Sequence, residues 1–228
     1  MTNLQILEGF EREINLLDNA IEKPNTDESL FWLNQGVAKF MKLRFNTDFI
    51  HRTSYEQNEK RRIDLIDLFK EVELPLTGPV EYPSYNEYQC TYPEDFQFAL
   101  NEDVVITDTE GGHEMNTCVF ECTADSFMYR VNNSLTDFHY RYHRARPLRV
   151  RSDEGFKLLT DKNYNITKFT LGYLRHPNEI TLENPTSEYT DFQAIIMPEI
   201  IKMAAQMYIE NKKDERYKTI TAEVNTQE

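Results

Sequence analysis

Apolar and polar positions along this chain follow one period at each end and another in the middle. At the start, Leu7, Phe10, Ile14, Leu17 and Ile21 recur at steps of three and four. That spacing predicts a helix over 3–22 with a stripe narrow enough to pack against a partner helix. Pro24 ends it, and Asn25, Thr26 and Asp27 offer side-chain oxygens to cap a second helix over 27–45. Leu30, Leu33, Val37, Phe40, Met41 and Phe45 lie on one side of that helix. Ile63, Ile66 and Phe69, widened by Leu65 and Leu68, predict a third helix over 55–72 behind a polar start. Three antiparallel helices over 1–74 are the simplest packing.

At Pro75 the period changes. From there to about 184 the chain is rich in Thr, Val, Tyr and Phe with turn residues at short intervals, which predicts antiparallel strands. Gly111-Gly112 between Val104–Asp108 and Met115–Cys122 predicts a hairpin. Further strands are expected at Met128–Val131 and Phe138–Val150. Lys157–Thr160 and Ile166–Leu174, flanking the turn at 161–165, predict a second hairpin. Together these suit a small sandwich or a twisted sheet over 75–184. Helical spacing returns with Met197, Ile200, Ile201, Ala204 and Tyr208, and Pro198 suits a first helical turn. The third part, 185–228, is therefore a closing helix to about Lys213 and a polar tail. The expected fold class is α+β, with the N-terminal helices and the C-terminal helix forming a bundle beside an antiparallel β-rich middle.

Composition narrows the function. With 228 residues, 39% of them hydrophobic, the chain can bury a core without staples. Its 13 Tyr and 14 Phe supply area for packing between surfaces as well as inside them. A net charge of −14 opposes free binding to nucleic acid or to an anionic membrane. No apolar run approaches the roughly 20 residues of a membrane span, and MTNLQILEGFEREINLL lacks the basic start of a signal peptide. Cys90, Cys118 and Cys122 are an odd set without an export signal, so reduced thiols and synthesis in a cytoplasm are expected.

Catalytic motifs do not emerge. Seven glycines build neither GxGxxG nor a phosphate loop, and no GxSxG elbow occurs. The spacing His113-x4-Cys118-x3-Cys122, with Cys90 as a fourth ligand, is not a standard zinc pattern, and no cofactor is expected. His139 and His143 flank Arg141 on one face of an expected strand, where the arginine disfavours a divalent cation. The basic run stands out more. Arg141, Arg144, Arg146, Arg149 and Arg151 fall within eleven residues free of acids. Setting those five charges apart from a total of −14 leaves −19 on the rest. Arginine forks suit carboxylates and phosphates, so the run reads as contact with acidic neighbouring subunits, as contact with DNA phosphates, or as a solvated strand. In a chain this acidic the first reading is preferred.

Four segments in order carry a resemblance: YPEDFQFAL (Tyr92 to Leu100), ARPLRV (Ala145 to Val150), YLRHPNEITL (Tyr173 to Leu182) and the run from Tyr189 to Lys218 ending MPEIIKMAAQMYIENKKDERYK. Over about 90–218 the chain resembles the tubular-tail adaptor family of short-tailed phages, and within it the ring proteins of crAss-like phages. The resemblance implies a non-enzymatic structural virion protein, a head–tail connector. It would form a twelve-fold ring under the portal protein and meet the next ring or tail protein below. Genomic DNA would pass its channel without specific binding. Another tail-ring or virion subunit is the alternative; a metal-dependent hydrolase using His139 and His143, or a DNA-binding module on the arginine run, follow. In the tail, Ile220, Ala222 and Val224 alternate with polar residues, a period-two pattern that could add as a strand to a neighbour's sheet edge. In the resembled family the closing region tends to reach toward the portal, so these three residues are the portal-docking candidates.

Overall fold

A computed structural model describes residues 1–17, 23–45, 59–110 and 112–212. The elements run α1 (Asn3–Leu17), α2 (Thr26–Phe45), α3 (Glu59–Asp64), a 3-10 turn (Ile66–Leu68), β1 (Phe69–Leu74), β2 (Thr77–Glu81) and β3 (Asn86–Thr91). Next come β4 (Phe96–Asp108), β5 (Glu114–Cys118), β6 (Phe120–Cys122) and α4 (Phe127–Asn132). The chain closes with β7 (Leu148–Arg151), β8 (Gly155–Thr160), β9 (Tyr164–Arg175) and α5 (Met197–Lys212). The fold is α+β, with helices towards both ends and a β-rich middle. It divides into a helical unit, 1–68 with 177–228, and a strand unit, 69–176.

In the helical unit α5 packs on both α1 and α2. The expected stripes supply the contact: Phe10 and Ile14 of α1, Leu33, Val37, Phe40 and Met41 of α2, and Ile200, Ala204 and Tyr208 of α5 are all buried. Burying one such large side chain contributes about 1.5–3 kcal/mol. Tyr208 meets Phe10 and Trp32 edge-on, each at 6.3 Å between ring centres. A Cβ at Gly36 would lie 2.8 Å from the Ala204 Cβ, so the missing side chain sets how closely α2 and α5 approach. Asn25 caps α2, its Oδ1 accepting from the Glu28 amide at 2.7 Å.

The expected third helix ends earlier than its spacing implied, and its expected start over 55–58 lies outside the described residues. α3 stops at Asp64 and β1 begins at Phe69. Ile63, Ile66 and Phe69 are exposed, while Leu65 and Leu68 are fully buried. The segment Phe-Lys-Glu-Val-Glu-Leu instead pairs antiparallel with β9, and its ladder overrides a helical spacing of only two turns. The other long member of the bundle is α5.

The strand unit holds two sheets, β1-β9-β4-β5 and β2-β3-β8-β7-β6. Tyr88, Cys90, Val104, Ile106, Phe156, Leu158, Ile166, Phe169 and Leu171 form one buried cluster contributed by both, the packing of a sandwich. β4 and β5 form the hairpin expected around Gly112, but the expected strand Met115–Cys122 divides at Val119, and Phe120–Cys122 joins the other sheet beside β7. The second expected hairpin does not form. β8 pairs with β3 and β7, whereas β9 pairs with β1 and β4. The reason is that β8 is covered on both faces: Phe156 and Leu158 join the inter-sheet cluster, and Leu159 joins a second one. The 161–163 corner therefore carries the chain from one sheet to the other, held by the Asp161 Oδ1 that accepts from the Asn163 amide at 2.6 Å.

That second cluster, Cys122, Val131, Phe138, Leu148, Val150 and Leu159, lies under the 123–147 connection. The connection links β6 to β7, which pair in parallel. A parallel pair needs a crossover, so Met128–Val131, expected as strand, is part of the helix α4. Of the strand expected over Phe138–Val150, only Leu148 onward is formed, because the chain before it reverses in a two-residue turn between Arg141 and Arg144. Among the described residues no helix is long and apolar enough to cross a membrane.

Candidate interaction site

The 123–147 connection is fixed at its base and bare at its top. Phe138 and Ala145 are buried. The Tyr164 hydroxyl donates to the Phe138 carbonyl at 3.0 Å, and the Tyr140 amide donates to Asp161 Oδ2 at 3.1 Å. The Arg146 amide donates to the Asp137 carbonyl at 2.7 Å. Burial of the Tyr164 phenol, with the Asp161 carboxylate beside it, holds its pKa well above the ordinary value, so it stays a donor. On this base stand large side chains in water: Tyr129 is 74% exposed, Leu135 84% and Tyr142 94%.

At the tip, Arg141 and Arg144 exchange backbone hydrogen bonds of 3.0 and 2.9 Å across Tyr142 and His143. Both central residues have positive φ, 50° and 60°. Such a two-residue turn normally carries Asn or Gly, and a bulky side chain there costs on the order of 1–3 kcal/mol. The His143 Nδ1 is 3.2 Å from the Tyr140 hydroxyl, and its ring meets that of His113 at 5.2 Å. Below the tip a recess of about 520 Å³ opens between Met115 and Thr117 of β5 and Leu135, His139, Arg144 and Arg146. Arg141 and Asp137 also reach it.

The five arginines separate. Arg141, Arg144 and Arg146 are exposed and line the recess. Arg141 donates to the Ser134 carbonyl, and none of the three is ion-paired to a described residue. Arg149 is different. It is 3% exposed and grips Glu102 of β4 through Nε at 2.9 Å and Nη2 at 2.8 Å. Its Nη1 donates to Glu121 at 2.9 Å, and its guanidinium lies 5.1 Å from the centre of the Phe156 ring. Arg149 thus ties β7 of one sheet to β4 of the other, and is not free for a neighbouring subunit. Arg151, exposed at the far end of β7, sits 3.6 Å from Glu121.

The remaining candidates scatter. His139 turns to Asp161, at 3.4 Å, and His143 to Tyr140, so the two histidines do not share a face. Cys90 and Cys122 are buried in different clusters and Cys118 is exposed. Among the described residues no three His, Cys, Asp or Glu side chains converge as metal ligands. Ile220, Ala222 and Val224 lie outside the described residues. Leu135, Tyr129 and the positive-φ turn were not singled out by sequence; with neither Gly nor Asn in the Arg-Tyr-His-Arg run, no turn signal marked it. Comparison with protein-family models and with curated proteins finds no match for this sequence.

Proposed function

We propose that the chain is a structural assembly subunit, a ring-forming head–tail adaptor that docks under the portal of a tailed phage and lines part of its DNA channel. The observation that carries this reading is the 123–147 connection. It holds Tyr129, Leu135 and Tyr142 in water on a hydrogen-bonded base, beside three arginines without carboxylate partners among the described residues. Tyr, Arg and apolar side chains presented together are the composition of interface centres, and a fixed base lowers the ordering cost of binding. The acidity of the remainder suits a bore that passes DNA without holding it. The resemblance over 90–218 supports the same role, with the portal above and a further ring or tail protein below. The virion is then the place of action.

Native mass spectrometry of the protein alone and with a portal ring tests this. The expected result is a closed oligomer, free or portal-templated. A protein that stays monomeric, or forms only a two-fold dimer, in both conditions refutes it.

A further inference from the structure

The recess has an opposite number on the same strand. β7 begins at Leu148, two residues after Arg146, and ends at Arg151, directly before Ser152-Asp153-Glu154. One end of β7 therefore carries the basic recess and the other an exposed acidic turn. Both acids are exposed, and neither pairs with a cation among the described residues. Asp153 Oδ1 accepts from the Ser152 hydroxyl at 2.8 Å and from the Glu154 amide at 3.0 Å. These donors hold the Asp153 carboxyl below its ordinary pKa, so it stays charged and its turn keeps its shape. A surface with unlike, complementary patches at two ends joins copies head to tail, the arrangement that closes into rings when the rotation permits.

Resting on the assembly reading above, we propose that the recess lined by Arg141, Arg144 and Arg146 receives the Asp153–Glu154 turn of a second copy of this chain. Arginine forks match carboxylates in pairs, and the recess has room for a turn of two side chains at about 520 Å³. Met115 and Leu135 supply apolar walls for the stems of those side chains. Asp137, also in the lining, repels a carboxylate placed beside it.

Complementary charge exchange tests the contact. One variant carries Arg144→Glu with Arg146→Glu; a second carries Asp153→Lys with Glu154→Lys. Glu154→Lys alone is the control for the turn, because Asp153 helps to hold it. Sedimentation velocity, run to the highest soluble concentration and repeated over a portal ring, reads association. Each variant alone is expected to weaken it at least about tenfold while its thermal melt stays that of the wild type. Mixing the two is expected to restore assembly, since each then offers the other one native and one exchanged pair. Association as strong as wild type in both variants, no rescue on mixing, or a wild type that never self-associates overturns the contact. Portal-templated rings indifferent to both exchanges overturn it while leaving the adaptor reading in place.

Discussion

Arg146 and Arg149 are three residues apart and do different work. Arg149 is buried in a fork with Glu102, whose side chain is only 9% exposed. Replacing Arg149 with Ala leaves that carboxylate buried without a counter-charge, which costs about 3–5 kcal/mol. Urea unfolding should report that loss in the isolated protein. Changing Arg141, Arg144 and Arg146 together to Gln should move stability by no more than about 0.5 kcal/mol and reduce assembly. A triple variant that assembles like wild type at every salt concentration would show a merely solvated run. Asp95 supplies a pH test. Burial acts to raise its pKa, but the Lys70 ammonium and the Tyr173 hydroxyl, donating at 2.7 Å, outweigh this and hold it below the ordinary 3.8. A depressed carboxyl stabilises the fold above its unfolded pKa, and that contribution is lost as pH falls through the folded value. Asp95→Asn should thus cost about 1 kcal/mol at neutral pH, discounted because Lys70 is half exposed, and much less near pH 2. Denaturation at the two pH values measures the difference.

Among the elements, the tightest constraint is at β8. A Cβ on Gly155 would fall 1.9 Å from the Cys90 carbonyl oxygen, so Gly155→Ala must push β3 and β8 apart. The expected loss is about 1–3 kcal/mol, read as a lower melting temperature. The same strand pair shields Cys90, whose thiol burial pushes up to about 11. In the native protein iodoacetamide at neutral pH should modify Cys118 and spare Cys90 and Cys122; mass mapping of the alkylated chain checks it. Much of the element order was legible in the sequence. α1, α2, α5 and the β4–β5 hairpin follow from spacing and turn residues, because each buries one face and leaves the other in water. The errors fall where that condition fails. β8 is covered on both faces and shows no alternation, which hid the switch between sheets. α4 is six residues long, too short to display a period, and exists because β6 and β7 run parallel. The arginine run was visible, but not its division, since the partner that removes Arg149 stands 47 positions earlier in β4.

For the whole molecule, one acidic chain carries a small basic recess, an acidic turn at the other end of the same strand, and exposed Tyr and Leu on a connection hydrogen-bonded at its base. Those features suit a protein whose work is to touch copies of itself and its neighbours. The period-two tail over 219–228 belongs to the same account. Its removal should leave the melting of the isolated protein unchanged and lower co-sedimentation with the portal. The most direct measurement of the central claim is electron microscopy of purified tailed-phage particles, assembled with a gold-labelled copy of this chain. The account predicts label at the head–tail junction, in a closed ring beneath the portal. Label over the capsid shell, or none in the purified particle, would contradict it.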